Sequence, residues 1–223
     1  MNFLEEMLHF IFPKECGICR KSVNTYLCNE CLNNIQNSNM FLNRIENYTK
    51  DNTKYFDYHA YVFSYKDLAR KKLIQYKFEN KAYLANMFCE FFIKNKKICG
   101  FFKKYDIIIS VPMTKKKKWK RGYNQTELIA KLLAKKIENL RYEKNILIKI
   151  KDNKTQSTLN KKQRIQNVKN VYKIKNIQTI KEKNILIIDD IYTTGATVNE
   201  CAKVLKQSNN NIGVITIAKD FKM

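Results

Sequence analysis

The sequence has 223 residues, 44% of them hydrophobic, which is enough for one ordinary α/β domain with a small appendage and excludes a chain that stays unfolded. Lys and Arg outnumber Asp and Glu 43 to 20, a formal charge of +23, which argues for a polyanionic partner, nucleic acid first. Base-composition bias in a chain rich in Lys, Asn and Ile would scatter the same lysines without purpose. No apolar run reaches the roughly 18 residues of a membrane span, and Glu5 and Glu6 stand where a secretory leader carries bases, so a cytoplasmic location is expected. Cysteines stay reduced there, and clusters of them bind metal before they bind each other.

Residues 1–12 place Phe3, Leu4, Met7, Leu8 and Ile11 on one helical stripe, which predicts a short amphipathic helix packed on the body and stopped by Pro13. Two knuckles follow, Cys16-Gly-Ile-Cys19 and Cys28-Asn-Glu-Cys31. Four thiolates in two Cys-x-x-Cys turns close tetrahedrally on Zn²⁺, whereas a redox pair needs only one such turn. Cys89, Cys99 and Cys201 have no partner at ligand spacing and read as small apolar residues. Residues 33–54 are polar and Asn-rich, a helix end and linker, so the expected division is a 1–50 module and a 51–223 domain.

Tyr58 to Tyr65 has strand composition, and helices are expected over Lys66 to Phe78 and Ala82 to Lys94. Tyr105 to Pro112 is a buried strand whose terminal loop, Ser110 to Thr114, faces a ligand. The stretch Lys115-Lys116-Lys117-Lys118-Trp119-Lys120-Arg121-Gly122-Tyr123 reads as a basic loop with two interleaved aromatics. It suits single-stranded nucleic acid, by backbone charge and base stacking, and it equally suits pyrophosphate; the plain alternative is a solvated loop whose Trp119 packs on the next helix. That helix runs from about Gln125 to Glu138. A short strand is expected at Asn145 to Ile150, then a long loop over Lys151 to Asn170 that ends in a short helix, a length usual for a functional lid. A last strand, Ile212 to Ala218, is expected at the edge of the sheet or next to it.

The rest is organised around Asn184 to Thr197. Ile185 to Ile188 is an unbroken apolar run, suited to a strand buried on both faces, and Asp189 and Asp190 sit at its carboxyl end, where open α/β sheets bind ligands. The turn Thr193-Thr194-Gly195-Ala196-Thr197 leads into a helix with Val198, Cys201, Ala202, Val204 and Leu205 at helical spacing, so the turn offers free N–H groups and a positive dipole end to a phosphate. Carboxylates for ribose hydroxyls followed by a phosphate cradle make a sugar-phosphate site. The bland alternative is a surface turn capped by Asp and Thr.

This stretch resembles the signature of type I phosphoribosyltransferases for 5-phosphoribosyl 1-pyrophosphate (PRPP). Together with the paired cysteine knuckles, Val111-Pro112, Arg121-Gly-Tyr-Asn-Gln125, Gln156 with Leu159, Arg164 and Asn167, the chain is similar over nearly its whole length to the ComF family. The resemblance implies a parallel-sheet, type I phosphoribosyltransferase-like domain with flanking helices and an N-terminal zinc module. It also implies PRPP with Mg²⁺ as ligand and a part in single-stranded DNA uptake during natural transformation. Partners are then expected in the uptake machinery, such as a competence DNA helicase, which would bring a cytoplasmic protein to the inner face of the membrane. Carried over by position, Asp189 and Asp190 hold the ribose hydroxyls and a Mg²⁺-linked water shell. Thr193, Thr194, Gly195, Ala196 and Thr197 bind the 5′-phosphate, and Ser110, Val111, Pro112, Met113 and Arg121 line the pyrophosphate side. Lys154, Gln156 and Arg164 belong to a mobile loop, with Lys154 and Arg164 in catalytic roles. Ser110 stands where a proline is frequent, Tyr123 for phenylalanine and Lys154 for arginine. No residue announces itself as a nucleobase selector, a task expected of residues 55–100. The functions in play are a PRPP-binding accessory of DNA import, an active transferase for an unidentified nitrogen nucleophile, and a zinc nucleic-acid protein on an unused transferase fold.

Overall fold

The computed structural model of the chain describes residues 14–151, 161–206 and 210–221. The helix expected at 1–12 and the candidates Lys154, Gln156 and Leu159 lie outside these residues. Among the described residues no helix is long and apolar enough to cross a membrane.

A six-stranded sheet in the order β1-β2-β8-β7-β3-β4 forms the centre. Its members are β1 (Phe41–Asn47), β2 (Tyr58–Ser64), β3 (Ile107–Ser110), β4 (Arg141–Tyr142), β7 (Asn184–Tyr192) and β8 (Asn211–Lys219). All neighbours are parallel except the β1–β2 pair. The run at Ile185–Ile188 is apolar throughout because both faces are covered. Ile185 and Ile187 join one buried layer with Val214, and Leu186 and Ile188 join the opposite layer with Ile215. The first layer is closed by α8 (Ala196–Leu205) and by the small hairpin β5 (Leu147–Lys149) with β6 (Tyr172–Ile174). The second is closed by α2 (Asp67–Phe78), α3 (Leu84–Ile93), α4 (Lys96–Phe102) and α6 (Gln125–Lys136). The expected α/β architecture with a mostly parallel sheet and flanking helices is what the chain forms.

The cysteine module precedes β1 and ends in α1 (Asn29–Gln36). It shares the second layer, since Cys16, Leu27, Cys31 and Ile35 are buried with residues of α2 and α3. Gly17 lies so close to Met87 of α3 that a Cβ there would come within 2.7 Å of its Sδ.

Several elements differ from the sequence expectation. Residues 41–47, inside the stretch expected as linker, form the sheet's edge strand; Asn43 at φ +46° interrupts the register there and spoils the alternation by which a strand is recognised. The last strand is interior, not at the edge or next to it, because β2 pairs with its outer side and β1 lies beyond. Lys115–Arg121 is a helix, α5, and not a loop: the Thr114 hydroxyl accepts from the Lys117 N–H at its start, and Gly122 at φ +81° ends it. The short helix closing the 151–170 segment is α7 (Lys161–Val168). Cys89 and Cys201 are buried as expected, whereas Cys99 is only half-buried.

Candidate functional site

A cavity of about 510 Å³ opens at the carboxyl ends of β3 and β7. Its floor is the end of β7 and the turn after it: Asp189, Asp190, Ile191, Thr193 and Thr197 all line it. The Asp190 N–H donates to its neighbour's Oδ1 at 2.9 Å, which holds the first carboxylate against the backbone. Burial first, and then the adjacent Asp190 carboxylate, push Asp189 above the ordinary carboxylate range; Lys77 and Lys149 pull the other way. A proton or a cation at Asp189 relieves both its burial and the repulsion from Asp190.

Gly195, at φ +72°, reverses the chain into α8. A side chain there would collide with the Tyr192 hydroxyl. The Tyr192 ring is itself fixed from behind, stacked on buried His59 at 4.1 Å between centroids. Lys219, which binds both oxygens of Glu46 at 2.6 and 2.7 Å, lies 5.5 Å from the Tyr192 ring centroid. The His59 Nε2 bonds the Thr216 hydroxyl at 2.9 Å, and burial holds its pKa down to about 4 against the pull of Glu46. The Thr194 hydroxyl accepts from the Ala196 N–H at 3.3 Å and so closes the turn rather than facing the cavity.

One side wall is β3's loop with α5 and α6. Val111 and Pro112 line the cavity, as does Arg121, while Ser110 turns away and lies 3.4 Å from the Tyr142 hydroxyl. Local chemistry explains the run Arg121–Thr126. Arg121 donates to Gln125 Oε1 at 2.8 Å, and Asn124 caps α6 while its amide donates to the Val111 carbonyl at 3.2 Å. The opposite side carries Lys149 and Tyr172 of the hairpin and Arg164 of α7, which is buried. Of the expected nucleic-acid residues only Lys117 reaches the cavity. Lys115, Lys116, Lys118, Trp119 and Lys120 lie elsewhere on α5, and Trp119 is 89% exposed, so it does not pack on α6. Lys118 pairs with Glu127 at 2.9 Å, and the Tyr123 hydroxyl donates to the Tyr76 carbonyl.

Sequence reasoning expected residues 55–100 to face a second substrate but named no residue of the wall contributed by α2 and its neighbours. Tyr65, Arg70, Lys77 and Phe78 line it, and Lys77 Nζ sits 2.8 Å from Asp190 Oδ1. The only signal was the motif Tyr76-Lys77-Phe78, which ends a helix with an apolar residue that the core does not claim. With Lys117, Arg121, Lys149 and Arg164, six basic side chains among the described residues line a cavity that holds three acidic ones, Asp189, Asp190 and Asp220. Such a surface suits a ligand with several phosphate charges that also offers hydroxyls or a cation to the acidic floor.

Outside this cavity, the sulfurs of Cys16, Cys19, Cys28 and Cys31 all lie within 4.8 Å of one another, and Cys19 and Cys28 are 3.8 Å apart. Four sulfurs at about 2.3 Å from a common centre are separated by about 3.8 Å, so the set could hold a metal ion such as zinc. The backbone supports that charge: the Cys28 N–H points at Cys16 Sγ at 3.5 Å and the Cys31 N–H at Cys28 Sγ at 3.4 Å. Burial raises the Cys16 thiol, but donors from Cys28, Cys19 and Ile18 outweigh it and hold the thiol below its ordinary range.

No family model matches the sequence. Over 207 residues, covering 90% of this chain and 87% of its counterpart, it is 26% identical to Competence protein F of Haemophilus influenzae. It is 29% identical over 154 residues to Competence protein ComFC of Bacillus subtilis, covering 69% of this chain and 60% of that protein. A 100-residue match to the DNA utilization protein YhgH of Escherichia coli O6:H1, 32% identical, spans 45% of this chain and 43% of that protein.

Proposed function

The chain belongs to the ComF family, and on that premise we propose that it acts in competence and DNA uptake, as a protein that binds PRPP with Mg²⁺ and handles incoming single-stranded DNA. One observation carries the PRPP half. The acidic pair at the end of β7 runs directly into a glycine turn at the start of a ten-residue helix, on the floor of a cavity with a basic excess. Asp189 and Asp190 then accept from the ribose hydroxyls, Thr193 to Thr197 take the 5′-phosphate, and Arg121 with the Val111-Pro112 loop takes the pyrophosphate side. Mg²⁺ would supply charge neutralisation for the pyrophosphate, with Asp189 and Asp190 as the residues that would hold its water shell; Lys77, 2.8 Å from Asp190 Oδ1, is the cation on that carboxylate here. Zn²⁺ is the ion we assign to the four cysteines, with a structural role, since the four sulfurs leave no position open for chemistry.

The DNA half rests on α5, where Lys115, Lys116 and Lys120 and a tryptophan 89% exposed present charge and a stacking ring to solvent, with Lys117 at the edge of the cavity. Calorimetry with Mg²⁺ and PRPP tests the first half: wild type binds, and Asp189→Ala with Asp190→Ala abolishes binding. Equal binding by the two proteins rules the assignment out. Salt-dependent anisotropy tests the second: Trp119→Ala weakens oligonucleotide binding without changing its salt slope, while Lys117→Ala with Lys118→Ala lowers that slope by about one unit per lost phosphate contact.

A second reading, an active transferase, is favoured by Arg164, which the segment between β5 and β6 brings to the cavity wall. In that reaction a nitrogen nucleophile bonds to ribose C1 as the bond from C1 to the pyrophosphate oxygen breaks, and the nitrogen loses its proton. Arg164, with Lys154 on the same segment, would stabilise the departing charge. Release of pyrophosphate from PRPP with a candidate amine or base, lost in Arg164→Ala, is the result that establishes it.

A further inference from the structure

The wall missed by motif reading has a feature that the PRPP assignment leaves unused. Phe78, the last residue of α2, is 70% exposed, second among the large apolar side chains of the described residues only to Trp119. It lines the cavity beside Lys77, whose ammonium sits on Asp190, and the Arg121 guanidinium lies over its ring at 5.1 Å. This pair is held in place from below. The Tyr123 hydroxyl donates to the Tyr76 carbonyl, the Tyr76 hydroxyl donates to the Gln125 carbonyl at 2.7 Å, and the two rings pack 5.7 Å apart. The chain two residues before Phe78 and the chain two residues after Arg121 are therefore tied to one another, which keeps the exposed Phe78 ring and the Arg121 guanidinium side by side.

The geometry points to Phe78 and Arg121 as a stacking platform for one base of single-stranded DNA at the mouth of the cavity. A rigid ring stacked with a guanidinium offers a π-face and a cationic plane, both of which pair with an unstacked base. Arg70 and Lys117 on the same walls meet the phosphates on either side of such a base, whereas an apolar peptide would leave these charges without partners. Trp119 is not part of this platform: Lys117 and Arg121 turn one side of α5 to the cavity, and Trp119 between them turns to the other. DNA following α5 then has two stacking points on opposite sides of one helix, one of them over the PRPP site. The inference rests on the DNA reading above and deepens it by naming where a base sits.

The test compares a labelled oligothymidylate with an abasic backbone of the same length, by anisotropy on the full chain. Phe78→Leu keeps the apolar bulk beside Arg121 and removes the π-face; Phe78→Trp restores a ring. Phe78→Leu is expected to weaken oligothymidylate binding by about 5- to 150-fold, the range for one stacked base, and to change abasic binding by less than about twofold, with Phe78→Trp recovering the loss. Equal losses on both backbones, or no loss on oligothymidylate, overturn the platform and leave the DNA reading standing. A wild-type protein that binds neither backbone overturns both.

Discussion

The floor of the cavity and the wall facing it are built in opposite ways. The floor comes from one stretch, Ile185 to Thr197, in which strand, carboxylates, turn and helix follow each other in sequence. The facing wall brings together residues 65–78 and 111–126, and α2 and α6 in turn pack in one layer with α3, on which the cysteine module rests. A contiguous site needs only local chemistry to form, whereas an assembled one depends on every contact that holds its pieces in register.

The sharpest way to break this contrast is to melt the prop of the assembled wall. On the zinc assignment proposed above, Cys28→Ser should prevent metal binding and unfold residues 14–36, since a structural zinc contributes on the order of 10 kcal/mol to so small a module. Hydrogen exchange should then show lost protection in the module and in α3 but not in β7 and β8, and elemental analysis should show the zinc gone. Uniform loss of protection would mean that the two walls stand or fall together.

Acid should act on the floor instead. His59 binds its proton near pH 6.5 when unfolded but only at about 4 when folded, because burial disfavours the charged ring. Between those values the unfolded chain holds the extra proton, so the His59 contribution to stability is lost as pH falls through this window, by about 3 kcal/mol, while Asp189, whose raised pKa gives the folded chain the extra proton, works in the opposite direction. Denaturant midpoints at pH 7 and pH 4.5 check it by difference: His59→Gln should gain stability relative to wild type as pH falls, and an unchanged difference between the two proteins would show that His59 is not held neutral.

A comparable cost, about 2–3 kcal/mol, is expected for Gly195→Ala, which combines a positive φ with a collision against a tyrosine stacked on His59. Chemical denaturation measures it, and a shift under about 0.5 kcal/mol would show that the turn is not supported from behind. The smallest effect sharpens the description of the other wall. Tyr123→Phe removes one bond to the Tyr76 carbonyl and should cost about 1 kcal/mol, with its exchange signature confined to the ends of α2 and α5.

The same contrast decides what could be read in the sequence. The stretch 184–197 was legible because burial on both faces, an acidic pair and turn chemistry each leave a mark within a few residues of one another. The cysteines were legible by spacing alone, and the structure gathers their four sulfurs. Lys77 and Phe78 were not, because nothing along α2 distinguishes an apolar residue at a helix end from one that covers a core; only α5 and α6, some 40 residues on, show which it is. Residues 41–47 escaped because a half-polar strand with a bulge has no clean alternation, and once β1 was lost β8 was misplaced toward the edge. The seven-residue α5 escaped because five lysines and one arginine give no apolar stripe, and its cap, Thr114, was read with the loop before it.

The position of β8 also sets the order in which the protein can be made. β2 has no inner neighbour other than β8, and the contact between Asp57 and Ile212 at their start spans 155 residues. On the ribosome the β1–β2 hairpin therefore emerges early and waits with one edge unpaired, while β3 and β7 form the beginnings of a separate half-sheet. The two halves join only when residues 211–219 leave the exit tunnel and slot between them. Closure so late and so non-local is slow and exposes a strand edge meanwhile, so synthesis of this chain favours association with a chaperone at the stage when residues 41–64 are out and residue 219 is not.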